Sequence, residues 1–523
     1  MSARRAAALL VVALAAALLA PSAAPAQTAP DTLGVFVVVV DGLLPEEINA
    51  TTPNLAALQA GATWYEESRS VMIAETIPNH VAMMTGVYPE RSSISGNAFW
   101  DRTEPPVDRD LSDPALLSAD TLFTTIERSC PALGTASLLS KEYLFSIFQP
   151  GGQNVATDSV WDPRPTNIPV SGHTPDIITM QEALTRLPGA DFMFVNLGDV
   201  DRTGHVDLTG GVPVPQDILD LTGGLLPNTA LLRQIVLRNT DAQIGLFVQA
   251  LRDAGRWERS VVIVLSDHGM DWSTPVDVVN LQPVLDGVED GAFFVVQNGG
   301  ADTVYLRDLA RPDAGTLLAE ARAAVLAQTG VDEAWYRTAN PADPGPETVV
   351  PASLHLDTPN AGDLIALAGD GYRFSDPTEF SNPIPGNHGH LTTVHNTFLI
   401  GGGAPFVRSG QVIAASVQGP GLLDRLPEQS ENVDVAPTVA WLLGLPAPAA
   451  GYQGRVLAEA FSVAASPSTC GQLAATPATP AGGGAGQGGS ALVPTGGAGP
   501  IGAAAVLAAV ALVARRRRRE PRA

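Results

Sequence analysis

Six side chains able to bind a divalent cation stand where this chain leaves or approaches an apolar run. Asp41 closes Leu33–Val40, and Asp201 and His205 follow Asp191–Leu197. Asp267 and His268 follow Ser260–Leu265, and His388 lies in Gly386-Asn387-His388-Gly389-His390, ahead of Thr397–Ile400. Taken singly, an aspartate at a strand end is a turn or helix cap, and Asp-His-Gly is a turn. Taken together, three aspartates and at least three histidines with no cysteine among them form a hard-to-borderline donor set. Such a set suits zinc, with manganese or iron also compatible. Three protein ligands per ion fill two sites and leave positions open for a substrate and a nucleophile.

A hydroxyl stands at a second kind of position. Glu75-Thr76-Ile77-Pro78-Asn79-His80 leads into the helix-like Val81–Gly86. Pro78 fits the first turn of a helix, which puts Thr76 at or just before its N-terminus. There the Thr76 hydroxyl meets the positive end of the helix dipole, with Asn79 one turn on as a donor to a bound oxyanion. A threonine at this place is ordinarily an N-cap. Beside two metal ions it becomes a nucleophile, because metal coordination generates an alkoxide near neutral pH.

The elements that must carry these groups follow from hydrophobic patterning. Leu33–Val40 (LGVFVVVV), Asp191–Leu197 (DFMFVNL) and Ser260–Leu265 (SVVIVL) read as strands buried on both faces, as in a parallel sheet. Thr52–Gln59 and Asn228–Gly255 read as helices, the second stopping at a glycine. Strands alternating with helices predict an α/β fold, a three-layer α/β/α sandwich around a mostly parallel sheet, with chemistry at the strands' carboxyl ends. Residues 286–370 read as a mixed α/β excursion. One domain, residues 30–462, accounts for the body.

The ends have other compositions. Residues 1–26 combine Arg4-Arg5, the apolar run Ala6–Ala20 and an Ala-Pro-Ala site, and read as a secretory signal peptide. Residues 466–496 are a Gly/Pro/Ala/Thr stalk expected to be disordered. Residues 497–514 form a marginal membrane-spanning anchor, and 515–523 a basic tail that the positive-inside rule keeps cytoplasmic. The reading is an exported protein on the extracellular face, tethered by its C-terminus. Its two cysteines, Cys130 and Cys470, would form one disulfide in that compartment. The formal charge of −24 gathers in the body, because much of the basic charge lies in the two ends. That field argues against binding a nucleic-acid polymer.

The ordered series Asp41-Gly, Thr76-Ile-Pro-Asn79-His, Thr85-Gly-Val-Tyr-Pro89-Glu, Gly96-Asn97, Asp201-x-x-Gly-His205, Ser266-Asp267-His268-Gly269-Met and His388-Gly resembles the alkaline phosphatase superfamily. More narrowly, it is similar to the type I phosphodiesterase/nucleotide pyrophosphatase family. The resemblance implies two zinc ions, one held by Asp41, Asp267 and His268 beside Thr76, the other by Asp201, His205 and His388. Threonine as nucleophile is the pattern of the family's phosphodiesterases. Arg202-Thr203 departs from the usual small pair before Gly204, which bears on the pocket wall. His388 is chosen over His390 and His395 because it directly precedes glycine, as the family ligand does. His80, His173 and His355 have no motif support and are read as structural. Lys141, the single lysine of the chain, ends a predicted strand. Some relatives use a lysine near this place against a substrate's second anionic group, and a surface lysine is the other reading.

The function these residues imply is metal-dependent hydrolysis of a small phosphoester or nucleotide, chiefly of diesters and pyrophosphates. A phosphomonoester, phosphonate or sulfate ester on the same fold is the alternative. A non-catalytic cell-surface domain is a further one, although structural zinc normally takes four protein ligands.

Overall fold

The computed structural model describes residues 32–148, 159–168, 172–205, 229–273, 277–375, 386–415 and 424–473. The expected signal peptide, anchor and basic tail, and the stalk beyond residue 473, lie outside them. Among the described residues no helix is long and apolar enough to cross a membrane.

Strand β1 (Gly34–Val40) is buried along its whole length, as its unbroken β-branched run requires. Further strands are β2 (Thr63–Tyr65), β3 (Thr135–Leu139), β4 (Ser159–Trp161), β5 (Phe192–Leu197) and β6 (Ser260–Leu265). A second group comprises β7 (Phe293–Asn298), β8 (Ala301–Leu306), β9 (Val331–Tyr336) and β10 (Leu364–Ala368), followed by β11 (Phe398–Gly402) and β12 (Gln411–Ile413). Among the described residues the main sheet has eight strands in the order β12-β2-β11-β6-β1-β5-β3-β4. Only β11 runs against the others.

Side chains alternate across a strand, and β1 shows the consequence. Val35, Val37 and Val39 face one helical layer, in which they cluster with Ile77, Val81 and Met84 of α2 (Thr76–Thr85) and Val435, Val439 and Leu443 of α9 (Val435–Leu443). Helices α3 (Leu122–Ser129) and α4 (Glu142–Phe148) complete that layer. Phe36, Val38 and Val40 face the opposite layer, built from α1 (Pro53–Ala60), α5 (Asp176–Arg186) and α7 (Thr229–Asp253). Each such fully buried side chain contributes roughly 1.5–3 kcal/mol. The result is the three-layer α/β/α sandwich.

The excursion forms its own antiparallel sheet, β7-β8-β10-β9, with α8 (Ala314–Leu326) on one face. Its other face packs Ile365, Leu367 and Trp335 against Met72, Ile73 and Ala74. The small sheet therefore buttresses the segment that delivers Thr76.

One boundary differs from the sequence expectation. Ser466–Leu473, assigned by composition to the stalk, belongs to the body: Ser468–Thr469 pairs with Gln472–Leu473, and Leu33 N donates to Gly471 O. Cys470 is joined to Cys130, closing a separation of 340 residues. A covalent tie and strand pairing outweigh the low apolar content of these few residues.

Candidate functional site

Parallel strands bring their carboxyl ends to one edge, and the chemistry-bearing residues gather there. Asp41 follows β1, Asp267 and His268 follow β6, and Lys141 lies two residues beyond β3. After Asp41 the chain turns at Gly42, whose φ of 69° is the left-handed region that favours glycine. That turn aims Gly42 N at Asp267 Oδ1, 3.0 Å away. Asp201 and His205 lie in one turn of helix α6 (Asp199–His205), with His205 Nε2 3.1 Å from Asp201 Oδ1. Gly204 stays helical and makes room for Met270, whose methyl would meet a Cβ there at 2.8 Å. Gly386–Asn387 pairs with Asp271–Trp272, and this short ladder carries His388 to within 3.5 Å of Asp201 Oδ1.

The histidine rings are oriented from behind. His268 Nδ1 donates to Gly269 O at 2.9 Å, and His388 Nδ1 donates to Ala74 O at 3.1 Å. Each Nε2 is thereby left as the lone pair facing the carboxylates, the arrangement that orients metal-binding imidazoles. The two rings stack at 3.6 Å, so the two ligand groups adjoin. His268 Nε2 lies 3.3 Å from Asp267 Oδ2 and 3.7 Å from Asp41 Oδ1.

The donor set fits divalent cations on charge as well as on geometry. Asp41 Oδ1, Asp201 Oδ1 and Asp267 Oδ2 are buried and accept no well-aligned hydrogen bond. Asp201, His205 and His388 converge as one potential metal group, and Asp41 recurs in two more, with Asp201 and His268 and with His80 and Asp267. Burial, then the neighbouring Asp41 charge, pushes the Asp267 carboxyl well above its ordinary range. A bound cation would reverse that cost. Burial also pushes the His388 and His268 rings below theirs, which keeps them neutral and able to ligate.

Lys141 is not on the surface. It is fully buried, with Nζ 2.8 Å from Asp41 Oδ1, 2.7 Å from Asp201 Oδ2 and 3.3 Å from Thr76 Oγ1. Burial works to raise the Asp201 carboxyl, yet the Lys141 ammonium and the His205 ring hold it well below the ordinary range.

Thr76 is the first residue of α2, and its Oγ1 lies 3.3 Å from His268 Nε2. The hydroxyl thus faces the ligands of one metal group at a helix N-terminus.

Over residues 35–390 the chain matches the type I phosphodiesterase/nucleotide pyrophosphatase family. It is a member of that family. Bovine (Bos taurus) bis(5'-adenosyl)-triphosphatase ENPP4 is 24% identical over 268 residues, covering 48% of this chain and 51% of the relative. The chain thus spans about half the length of the ENPP4 relatives it matches. Human ectonucleotide pyrophosphatase/phosphodiesterase 5 superposes with a TM-score of 0.61 at 16% identity, over 82% of this chain and 100% of that one. The murine protein 5, as an inactive threonine-to-alanine variant in complex with AMP, gives the same score, identity and coverage. The fold is the alkaline phosphatase-like one of these family members.

Asn79, read from the sequence as an oxyanion donor, has other partners in the structure. Asn79 does not face the Thr76 hydroxyl. Its Nδ2 donates to the carbonyls of Val71, Ile73 and Glu75, and its Oδ1 accepts from Val71 N and Asn432 Nδ2. A carboxamide so occupied has no proton left for an oxyanion. Asn97, in the Gly96-Asn97 motif, is the residue that reaches the helix N-terminus: its Oδ1 accepts from Ile77 N at 2.8 Å, while its own N donates to Glu75 Oε2 at 2.7 Å. Its Nδ2 has no partner among the described residues. Helical phase gave no means of telling Asn79's direction, whereas the place of Asn97 in the motif series was a usable signal.

The other histidines of the type I phosphodiesterase/nucleotide pyrophosphatase chain have structural partners. His80 uses both ring nitrogens, on Thr76 O and Asn196 Nδ2. His173 pairs with Asp199, His355 with Glu90 while stacked on Tyr88, and His395 with Glu66 O. His390 turns its Nε2 to Asp271 Oδ2, 3.1 Å away.

Proposed function

We propose that this protein is an exported two-zinc phosphoester hydrolase that acts on small diesters and nucleotide pyrophosphates through a phosphothreonine intermediate. The observation that carries the reading is the Thr76 hydroxyl, set at a helix N-terminus within 3.3 Å of His268 Nε2 and of Lys141 Nζ. Asp41, Asp267 and His268 would hold one ion, and Asp201, His205 and His388 the other. Such ions supply Lewis acidity toward the phosphoryl oxygens and lower the pKa of a hydroxyl or water.

Thr76 Oγ1 gives up its proton to solvent and forms a bond to phosphorus as the bond to the leaving oxygen breaks, and that oxygen takes up a proton from water. Asn97 Nδ2 donates to a non-bridging oxygen, and the amides of the first turn of α2 face the same charge. Lys141 balances the carboxylates around the attacking oxygen. Water then cleaves the phosphothreonine, returning the Thr76 hydroxyl and releasing the phosphorylated product. Two displacements retain configuration at phosphorus. Export is supported by the leader composition and by the Cys130–Cys470 bridge. The C-terminal tether rests on the composition of residues 497–523.

Metal analysis of the purified protein, with turnover of bis(p-nitrophenyl) phosphate and p-nitrophenyl phosphate, tests the reading. Two equivalents of zinc, a preference for the diester and loss of turnover in Thr76→Ala are expected. A large excess on the monoester, or full activity in Thr76→Ala, would overturn it.

A further inference from the structure

Arg202 follows Asp201 in α6, and its guanidinium is only partly exposed. Cations withdrawn from water are ordinarily paired, because desolvation costs several kcal/mol that a counter-ion must offset. Other withdrawn cations here obey this: Lys141 meets two aspartates, Arg233 meets Glu47, and Arg425 meets Glu431 and Asp434. Among the described residues Arg202 forms no ion pair, and its buried Nε has no hydrogen-bond partner. The nearby carboxylates of Asp41 and Asp201 are already engaged by Lys141.

What does hold Arg202 is an aromatic platform. Its Cζ lies 5.7 Å from the ring centre of Tyr143, and its Nη2 is 3.5 Å from Tyr143 Oη. The same ring stands 5.8 Å from Lys141 Nζ. This guanidinium therefore shares the Tyr143 ring with the ammonium beside Thr76. Along α6 it is three residues before His205, so both project on neighbouring parts of the helix surface. A planar fork fixed on a ring face, with one N–H edge unused, is suited to bidentate recognition of a phosphate.

We propose that Arg202, braced by Tyr143, binds a second phosphate group of the substrate, one that Thr76 does not attack. The centre then selects nucleotides carrying a phosphoanhydride chain over diesters with a single charge. This rests on the hydrolase reading above.

The test compares kcat/KM for ATP and for bis(p-nitrophenyl) phosphate in the wild type, Arg202→Gln, Arg202→Lys and Tyr143→Phe. A hydrogen bond to a charged group is worth enough for a loss of roughly 10- to 150-fold. We expect Arg202→Gln to lower kcat/KM for ATP in that range, mainly through KM, and at least tenfold more than for the diester. Arg202→Lys, which keeps charge and stem but loses the fork, should fall between, and Tyr143→Phe should show a smaller loss of the same selectivity. Equal losses on both substrates, or none, in folded Arg202→Gln and Arg202→Lys would overturn the subsite. Failure of the metal-loaded wild type to cleave either ester would instead overturn the hydrolase reading.

Discussion

Lys141 Nζ lies 2.7 Å from Asp201 Oδ2, with both groups sealed from solvent. Without metal, this ammonium is the main charge compensating Asp201 and Asp41. Breaking a buried pair by removing one partner costs about 3–5 kcal/mol. Lys141→Met should therefore lose about 3 kcal/mol or more in urea unfolding with chelator present. Excess zinc should recover most of that loss, since the freed carboxylates can ligate it. Equal destabilisation with and without zinc would show that Lys141 does not share these carboxylates with a metal.

Asn97 and Asn79 should separate chemistry from folding. Removing one oxyanion donor typically costs 10²–10³ in kcat. Asn97→Ala should show that loss with a smaller drop in melting temperature than Asn79→Ala, because its side chain accepts from one backbone amide, that of Ile77. Asn79→Ala leaves several buried backbone groups without partners and should lower stability by roughly 1–3 kcal/mol or more. Kinetics and thermal melts on both variants decide the matter, and a catalytic loss confined to Asn79→Ala would reverse the assignment.

His388 and His390 are two residues apart but face different partners, Asp201 and Asp271. His388→Ala should bind about one equivalent of zinc fewer than the wild type, whereas His390→Ala should keep the full complement. Metal content after exhaustive dialysis reads this directly.

Burial, then the Arg202 charge, pushes the His173 ring from an ordinary 6.5 down to about 3. A folded-state pKa below the unfolded value means stability is fully present above about pH 6.5. It is lost as pH falls from there through about 3. Urea midpoints of the chelated protein should decline over this window, and His173→Asn should flatten the slope. An unchanged slope would place the acid sensitivity elsewhere, for example in His80, which burial lowers to about 4.

Much of the frame was readable in advance because β1, β5 and β6 are buried on both faces, and that demand writes itself as unbroken apolar runs. Aspartates directly after such runs inherit their place at the sheet edge. Direction is harder to read than position. Lys141 sits where a strand end usually meets water, and only the convergence of Asp41 and Asp201 makes it interior. Asn79 lies one turn from Thr76, yet its phase on α2 turns it to the backbone of residues 71–75. Short strands such as β2 and β12 carry too few residues to show a period. Ser466–Leu473 owes its order to partners far away in sequence, Cys130 and Leu33.

The Cys130–Cys470 link joins the end of helix α3 to the last hairpin. A pull exerted on the polypeptide downstream of Leu473 is therefore shared with the protein at Cys130. Only part of it passes back residue by residue through α9 toward the carboxyl edge of the sheet. The bond works as a strain relief: dragging on the trailing segment loads a helix terminus, while the bed of Asp, His and Thr side chains keeps its shape.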